Sequence, residues 1–81
     1  MVYKMYSIKD ECIGFGIPFA LENDGVAIRT FENAYHVNNS MYATKPNDFS
    51  LYCVGTFDNK TGDVNPILPF RVCEASEFVE R

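Results

Sequence analysis

The sequence lacks several features that would by themselves define a function. No apolar run approaches the roughly 20 residues of a membrane-spanning helix, so we expect no membrane contact. The first eleven residues, MVYKMYSIKDE, lack the apolar segment of a secretory signal, which predicts a protein that stays in the cytoplasm where it is made. No GxSxG, HExxH or P-loop motif is present. These absences exclude the most easily recognised enzyme and membrane classes.

Histidine and cysteine are too few and too scattered to indicate a metal or catalytic site. Cys12, Cys53 and Cys73 include no CxxC pair, and His36 is the single histidine. An odd number of unpaired cysteines favours a reduced protein over a disulfide framework and argues against a Cys₃His zinc site. The only histidine lies on the polar side of a predicted helix. We therefore predict no enzyme activity and no cofactor.

Positive charge is also scarce. The chain has 7 basic and 11 acidic residues, a formal net charge of −4, and no cluster of three basic residues. Proteins that bind nucleic acid through phosphate contacts normally display a basic patch or stripe. The net charge therefore argues against tight binding of nucleic acid. Binding would require a local basic patch that the fold assembles from separate parts of the chain.

What the sequence does contain is a repeated β pattern interrupted by one helix. We predict a single α+β domain over residues 1–81, in the order β-β-α-β-β, with a mostly antiparallel four-stranded sheet and one helix on one face. The predicted strands cover residues 3–9, 13–21, 49–57 and 64–73, and the helix covers residues 26–37. In the first strand, Lys4, Tyr6 and Ile8 share one face.

Residues 49–57 are predicted to form the central strand of the sheet, because this segment is apolar on both faces. Gly55 within it indicates a bulge or the close approach of another backbone. Gly14 and Gly16 predict a bend in the second strand. Pro66 and Pro69 place the last strand at an edge of the sheet or make it irregular at its start.

The remaining segments have weaker signals. Asn23 or Asp24 is the expected N-cap of the helix, and Phe31 is its expected anchor in the core. Residues 41–48 are predicted to form a loop, and residues 74–81 an acidic tail that frays unless Phe78 and Val79 dock. The second face of the sheet has no segment left to cover it. In so small a chain this predicts a homo-oligomer.

Five tyrosines offer the one further hint, because several lie near lysines or arginines on predicted strands. Tyrosine beside a cation on an open sheet can stack and hold single-stranded nucleic acid. Tyrosine also covers small cores and is enriched in dimer interfaces, and the residues alone favour these structural roles.

Four stretches resemble one family in the same order and at the same spacing over residues 3–72. They are MYSIKD at residues 5–10, AIRTFENA at 27–34, KPNDFSLYCVGTFDNKTGDV at 45–64, and Pro66-Ile67. This combination resembles the small nonstructural protein of microviruses, the gokushovirus-type single-stranded DNA phages. The resemblance implies a phage protein of the host bacterial cytoplasm, absent from the virion, that assists single-stranded DNA synthesis or packaging.

Two hypotheses follow from the resemblance and the residues. In the preferred one the protein is a microvirus nonstructural accessory protein that acts in single-stranded DNA synthesis or packaging. If it contacts DNA, the expected residues are Lys4, Tyr6, Lys9, Tyr52 and Arg71, with tyrosines on bases and cations on phosphates. In the alternative, it is a non-enzymatic module that binds a phage or host replication protein without touching DNA. A basic and aromatic exposed face would favour the first, and an apolar or acidic face the second.

Overall fold

A single antiparallel sheet with one main helix forms the protein in a computed structural model that describes residues 1–79. The predicted α+β class and helix position are confirmed. The elements are β1 (Val2–Asp10), β2 (Gly14–Phe15), β3 (Phe19–Leu21), α1 (Asp24–Tyr35), α2 (Met41–Thr44), β4 (Phe49–Asp58) and β5 (Val64–Glu74), with 3₁₀ turns at Pro46–Asp48 and Ala75–Phe78.

The strand order is β2-β1-β4-β5, and β3 also pairs with β1, so the described sheet has five strands. The prediction of one continuous second strand was wrong. The segment breaks between Phe15 and Phe19 because Pro18 has no N–H for the ladder. In the same break the Gly16 N–H donates to the Ile8 carbonyl at 2.9 Å. Gly14, with a φ of 121°, makes the preceding turn.

The central position of β4 is confirmed, because it pairs with β1 along its whole length and with β5 on its other side. Both structural interpretations of Gly55 are also confirmed. The β4–β5 register shifts between Cys53 and Gly55, and a Cβ atom at position 55 would lie 2.6 Å from the Asn65 carbonyl oxygen. Only glycine allows the two backbones to approach this closely.

Helix α1 begins where its capping residue predicts. The Asn23 side chain accepts a hydrogen bond from the Val26 N–H at 2.9 Å, which satisfies one amide of the first turn. The helix runs from Asp24 to Tyr35 instead of residues 26–37, because the first residue after the cap is already helical. Its buried face carries Ala27, Phe31 and Tyr35. The expected anchor, Phe31, packs edge-on against two other rings.

Two segments are more ordered than predicted. The stretch at residues 41–48 contains α2 and a 3₁₀ turn instead of only loop. The segment after β5 turns back onto the helix, where the Phe78 ring lies 5.5 Å from Phe31 and 5.6 Å from Tyr35 between centroids. Phe78 is 1% exposed, whereas Val79 is 55% exposed, so only the first of the two docks. Residues 80 and 81 of the predicted tail lie outside the described residues.

The molecule is longer than a compact chain of its size. Its radius of gyration is 12.9 Å, against about 11.7 Å expected for 81 residues. In the same molecule β5 is exposed from Val64 to Arg71, the part of the strand that follows the hairpin turn.

Replacing Gly55 with alanine tests the close approach of β5. We expect Gly55→Ala to destabilise the protein by about 1–3 kcal/mol, because the new methyl group must displace the backbone at Asn65. Urea unfolding measures the difference, with Lys60→Ala in the exposed hairpin turn as the control. Equal stability of the two variants would contradict the close approach.

Phe78 and Val79 form a matched pair for testing whether the C-terminal turn closes the core. Phe78→Ala should cost about 3–5 kcal/mol, the usual cost of deleting a buried aromatic side chain. Val79→Ala should change the free energy of unfolding by less than about 0.5 kcal/mol because its side chain is exposed. A frayed tail would instead give two small and similar effects in thermal or urea unfolding.

Candidate nucleic-acid interface

The sheet has two different faces, and cross-strand pairing assigns residues to them. Residues directly opposite one another on neighbouring strands place their side chains on the same face. The face beneath α1, here the covered face, carries the core residues Tyr6, Leu51 and Cys53. The opposite face, here the open face, carries Ser7, Lys9, Phe15, Ser50, Tyr52 and Arg71 near its centre.

Two aromatic rings and one cation form a cluster on the open face. The Phe15 and Tyr52 rings meet nearly at right angles, with centroids 5.3 Å apart. The Lys9 Nζ lies 5.4 Å from the Phe15 centroid and 5.7 Å from the Tyr52 centroid. These distances are within the range of cation–π attraction. Phe15 is exposed and Tyr52 half-buried, so both rings present surface to solvent.

The cluster is held in place by small residues and by a turn. The turn after β1 returns the chain so that Phe15 lies opposite Lys9. Ser7, which lies opposite Tyr52 in the ladder, and Ser50, which lies opposite Lys9, are both buried. The Ser7 hydroxyl donates to the Gly16 carbonyl at 2.7 Å, which fastens the β2 segment to β1.

Each described cation of this region has a carboxylate nearby. The Lys9 ammonium lies 3.8 Å from the Glu11 carboxylate, and the Arg71 guanidinium donates to Glu74 at 3.0 Å. Arg71 lies directly opposite Tyr52 in the ladder and extends the open face toward β5. Exposed ion pairs contribute about 0–1 kcal/mol, so a phosphate group can compete with these carboxylates. The face is thus aromatic and locally cationic without a net positive charge.

The other two predicted contacts, Lys4 and Tyr6, lie on the opposite side of the sheet. Tyr6 is 0% exposed, and its hydroxyl donates to the Asp24 carboxylate at 2.6 Å. The Lys4 Nζ is 3.4 Å from the same carboxylate oxygen. A nucleobase has no access to the Tyr6 ring in this fold, so the prediction that Tyr6 stacks on DNA is corrected. The pair instead joins β1 to the first residue of α1.

This junction shifts the acidity of both partners. The hydrogen bond from Tyr6 holds the pKa of the Asp24 carboxyl below its usual range, and the Lys4 ammonium acts in the same direction. Burial, with the neighbouring Asp24 charge, raises the pKa of the Tyr6 hydroxyl. Asp24 also lies in the first turn of α1, where the helix dipole favours a negative charge. The junction therefore fixes the start of the helix onto the sheet.

Phe15 was missing from the predicted contacts. Gly14-Phe15-Gly16 predicted only a bend, although the short turn between Lys9 and Phe15 contained a usable signal. A reversal at residues 11–13 brings Phe15 into register with Lys9 and therefore onto the same face of the sheet. Working out the hairpin register of this turn from the sequence would have placed Phe15 beside Lys9 among the predicted contacts.

Other candidate chemistry stays separate in the structure. His36 lies beside the Tyr35 ring, and its Nε2 is 3.8 Å from the Glu32 carboxylate at the end of α1. Cys12 is exposed, whereas Cys53 and Cys73 are buried. Within residues 1–79, no three histidine, cysteine or acidic side chains converge as a metal site would require. None of the helices in this range has the length and apolar character to cross a membrane.

Fold and site together define a small α+β protein with one helix-covered face and one open face bearing an aromatic and cationic cluster. The family model described as Phage ORF5 protein matches residues 3–78, nearly the whole chain. The chain belongs to this phage family, which confirms its resemblance to a small phage protein. No curated protein and no solved structure matches it.

The junction between Tyr6 and Asp24 predicts a specific pH dependence of stability. Because the pKa of folded Asp24 is lowered, its contribution is present above about pH 4, the ordinary aspartate pKa, and is lost as the pH falls further. Tyr6→Phe should cost about 1–2 kcal/mol at pH 7 and less at pH 2.5, measured by urea unfolding. Tyr3→Phe on the same strand is the control. An equal cost of Tyr6→Phe at both pH values would contradict this linkage.

Proposed function

We propose that this phage protein is a microvirus nonstructural accessory protein that binds single-stranded DNA through its open face. In this proposal it assists genome synthesis or packaging in the cytoplasm of the host bacterium. The observation that carries the proposal is the Lys9–Phe15–Tyr52 cluster, in which one cation lies within 6 Å of two accessible rings. The family match supports the phage setting, and the cluster supports the contact with DNA.

The cluster has the chemistry that single-stranded nucleic acid requires. Unpaired bases stack on aromatic side chains, and each such contact contributes about 1–3 kcal/mol regardless of base identity. Phe15 and Tyr52 would supply the stacking surfaces, while Lys9 and Arg71 would meet phosphates on either side of Tyr52. Lys4 and Tyr6 have no direct role in this version of the interface, because they bind Asp24 on the covered side.

The acidic charge of the chain shapes the expected binding. With two cations at the site, the slope of log K against log salt should be about −1.4, since each phosphate contact with a single strand contributes about −0.7. Most of the affinity must then come from the rings. We therefore expect weak binding that is insensitive to base sequence and only moderately sensitive to salt.

Fluorescence anisotropy of a labelled oligothymidine, titrated at several salt concentrations, tests this proposal. Phe15→Ala and Tyr52→Ala should each weaken binding by about 5- to 150-fold, the equivalent of one lost stacking contact. Val37→Ala is the control for loss of an exposed apolar side chain, because Val37 is exposed and lies outside the cluster, after the end of α1. Lys9→Ala should lower the salt slope by about 0.7, whereas Lys60→Ala in the hairpin turn should leave it unchanged.

The absence of binding at low salt would overturn the DNA contact and favour the alternative function. In that alternative the protein is a non-enzymatic module for a phage or host replication protein. A specific observation supports it, namely the exposed apolar side chains of Val64, Ile67, Leu68 and Phe70 along the free edge of β5. Binding that persists but ignores the Phe15 and Tyr52 substitutions would place the DNA elsewhere on the molecule.

A further inference from the structure

Exposed apolar side chains are concentrated on two surfaces of the described chain. Residues 1–79 contain twelve large apolar side chains that are exposed, and eight of them belong to these surfaces. The first surface, here the ridge, consists of Val64, Ile67, Leu68 and Phe70. The second, here the cleft, has Ile13, Phe15, Ile17 and Met41 among its lining residues. Such concentrations mark interaction sites more often than scattered single residues do.

The ridge protrudes because β5 bulges from the ladder. Cys53 pairs with Phe70 and Gly55 pairs with Pro66, so three residues of β5 oppose one residue of β4. Leu68 is the middle residue of the three and is 89% exposed. No charged residue occurs from position 64 to position 70. The ridge can therefore enter an apolar environment without the cost of desolvating an ion.

The cleft is an apolar depression of about 440 Å³ between the β2–β3 segment and α2. Its lining includes Ile8, Phe19 and Phe49, which belong to or pack against the core. Ile17, another lining residue, is 91% exposed. One charged residue, Asp10, lines it, and its carboxylate already accepts a hydrogen bond from the Cys12 N–H at 2.9 Å. The cleft therefore offers mainly apolar contact to whatever fills it.

The two surfaces lie at opposite edges of one sheet. The ridge is on β5 at one edge, whereas the cleft borders β2 and β3 beyond β1 at the other edge. None of the ridge residues lines the cleft of its own chain. Pro66 and Pro69 also deprive the β5 edge of two N–H groups, so it is a poor template for adding another strand. Side-chain insertion is then the available mode of contact for the ridge.

We propose that the ridge of one copy of this chain inserts into the cleft of a second copy, with Leu68 as the central side chain. The match rests on a convex and a concave apolar surface, both almost without charge, on the same small protein. The solvent-accessible surface area of the molecule is 5320 Å², compared with about 4,900 Å² expected for a compact 9.2 kDa chain. The chain therefore has additional surface that association with a second copy can bury. This contact joins two different surfaces, and copies therefore associate head to tail.

Sedimentation velocity of the wild type and two charge-insertion variants tests the proposal. The wild type should sediment as species larger than 9.2 kDa, increasingly so as its concentration rises. Leu68→Asp and Ile17→Asp should each be monomeric, because each introduces a carboxylate into the apolar contact. Both positions are almost fully exposed in the monomer, so circular dichroism should be unchanged. Val37→Asp, at an exposed apolar position outside both surfaces, should associate like the wild type.

Mixing the two monomeric variants gives the decisive result. Leu68→Asp keeps an intact cleft and Ile17→Asp keeps an intact ridge, so an equimolar mixture should form a 1:1 dimer and nothing larger. An interface that pairs ridge with ridge, or cleft with cleft, would not be restored by mixing.

A monomeric wild type at millimolar concentration, or a mixture that remains monomeric, would overturn the proposal and leave the ridge to a different protein. The proposal does not rest on DNA binding. Sedimentation is measured without DNA, so failure of either proposal can be recognised separately.

Discussion

The long antiparallel pairing of β1 with β4 is the constraint on which the rest of the structure depends. It joins residues 2–10 to residues 49–58, so the intervening chain must leave and return within about 40 residues. That chain forms β2 and β3 on the free side of β1, and then α1 across one face. The register shift after Met5 lies next to Tyr6, whose hydroxyl binds the first residue of the helix. One ladder therefore determines both the sheet and the position of its helix.

This short chain forms one substantial helix, α1, and that helix covers only one face of the sheet. On the covered face, large side chains fill the core, and the C-terminal turn completes it with Phe78. On the open face Ser7 and Ser50 are buried, while the rings of Phe15 and Tyr52 keep surface exposed to solvent. The difference between the faces follows from how many elements 81 residues can form, and it leaves surface for binding.

The parts of the fold that local chemistry determines could be predicted from the sequence. Asn23 as a cap and Gly55 as a point of close approach each depend on one residue and its neighbours, and both were confirmed. The sequence did not predict which side chains of β1 lie on the covered face. Lys4, Tyr6 and Ile8 alternate with Tyr3, Met5 and Ser7, and both sets mix polar with apolar groups. The packing of Tyr6 and Ile8 against the core decides which set is covered, and the hydrogen bond from Tyr6 to Asp24 spans 18 residues. Phe15 is a different case, because its pairing with Lys9 across a short turn is local and could have been predicted from hairpin register.

The two proposals together reconcile an acidic chain with a nucleic-acid role. One open face offers two cations, each near a carboxylate, and two rings, which is little for a strand that carries a charge at every nucleotide. Copies joined through opposite edges of the sheet would present several open faces to one strand, each with Lys9, Tyr52 and Arg71, while Phe15 also lines the cleft that the neighbouring ridge would fill. The second and later contacts would then be intramolecular, and their effective concentration would raise the affinity without any further basic residue. If both proposals hold, several weak sites on a self-associating protein would bind one strand more tightly than the single site of an acidic monomer.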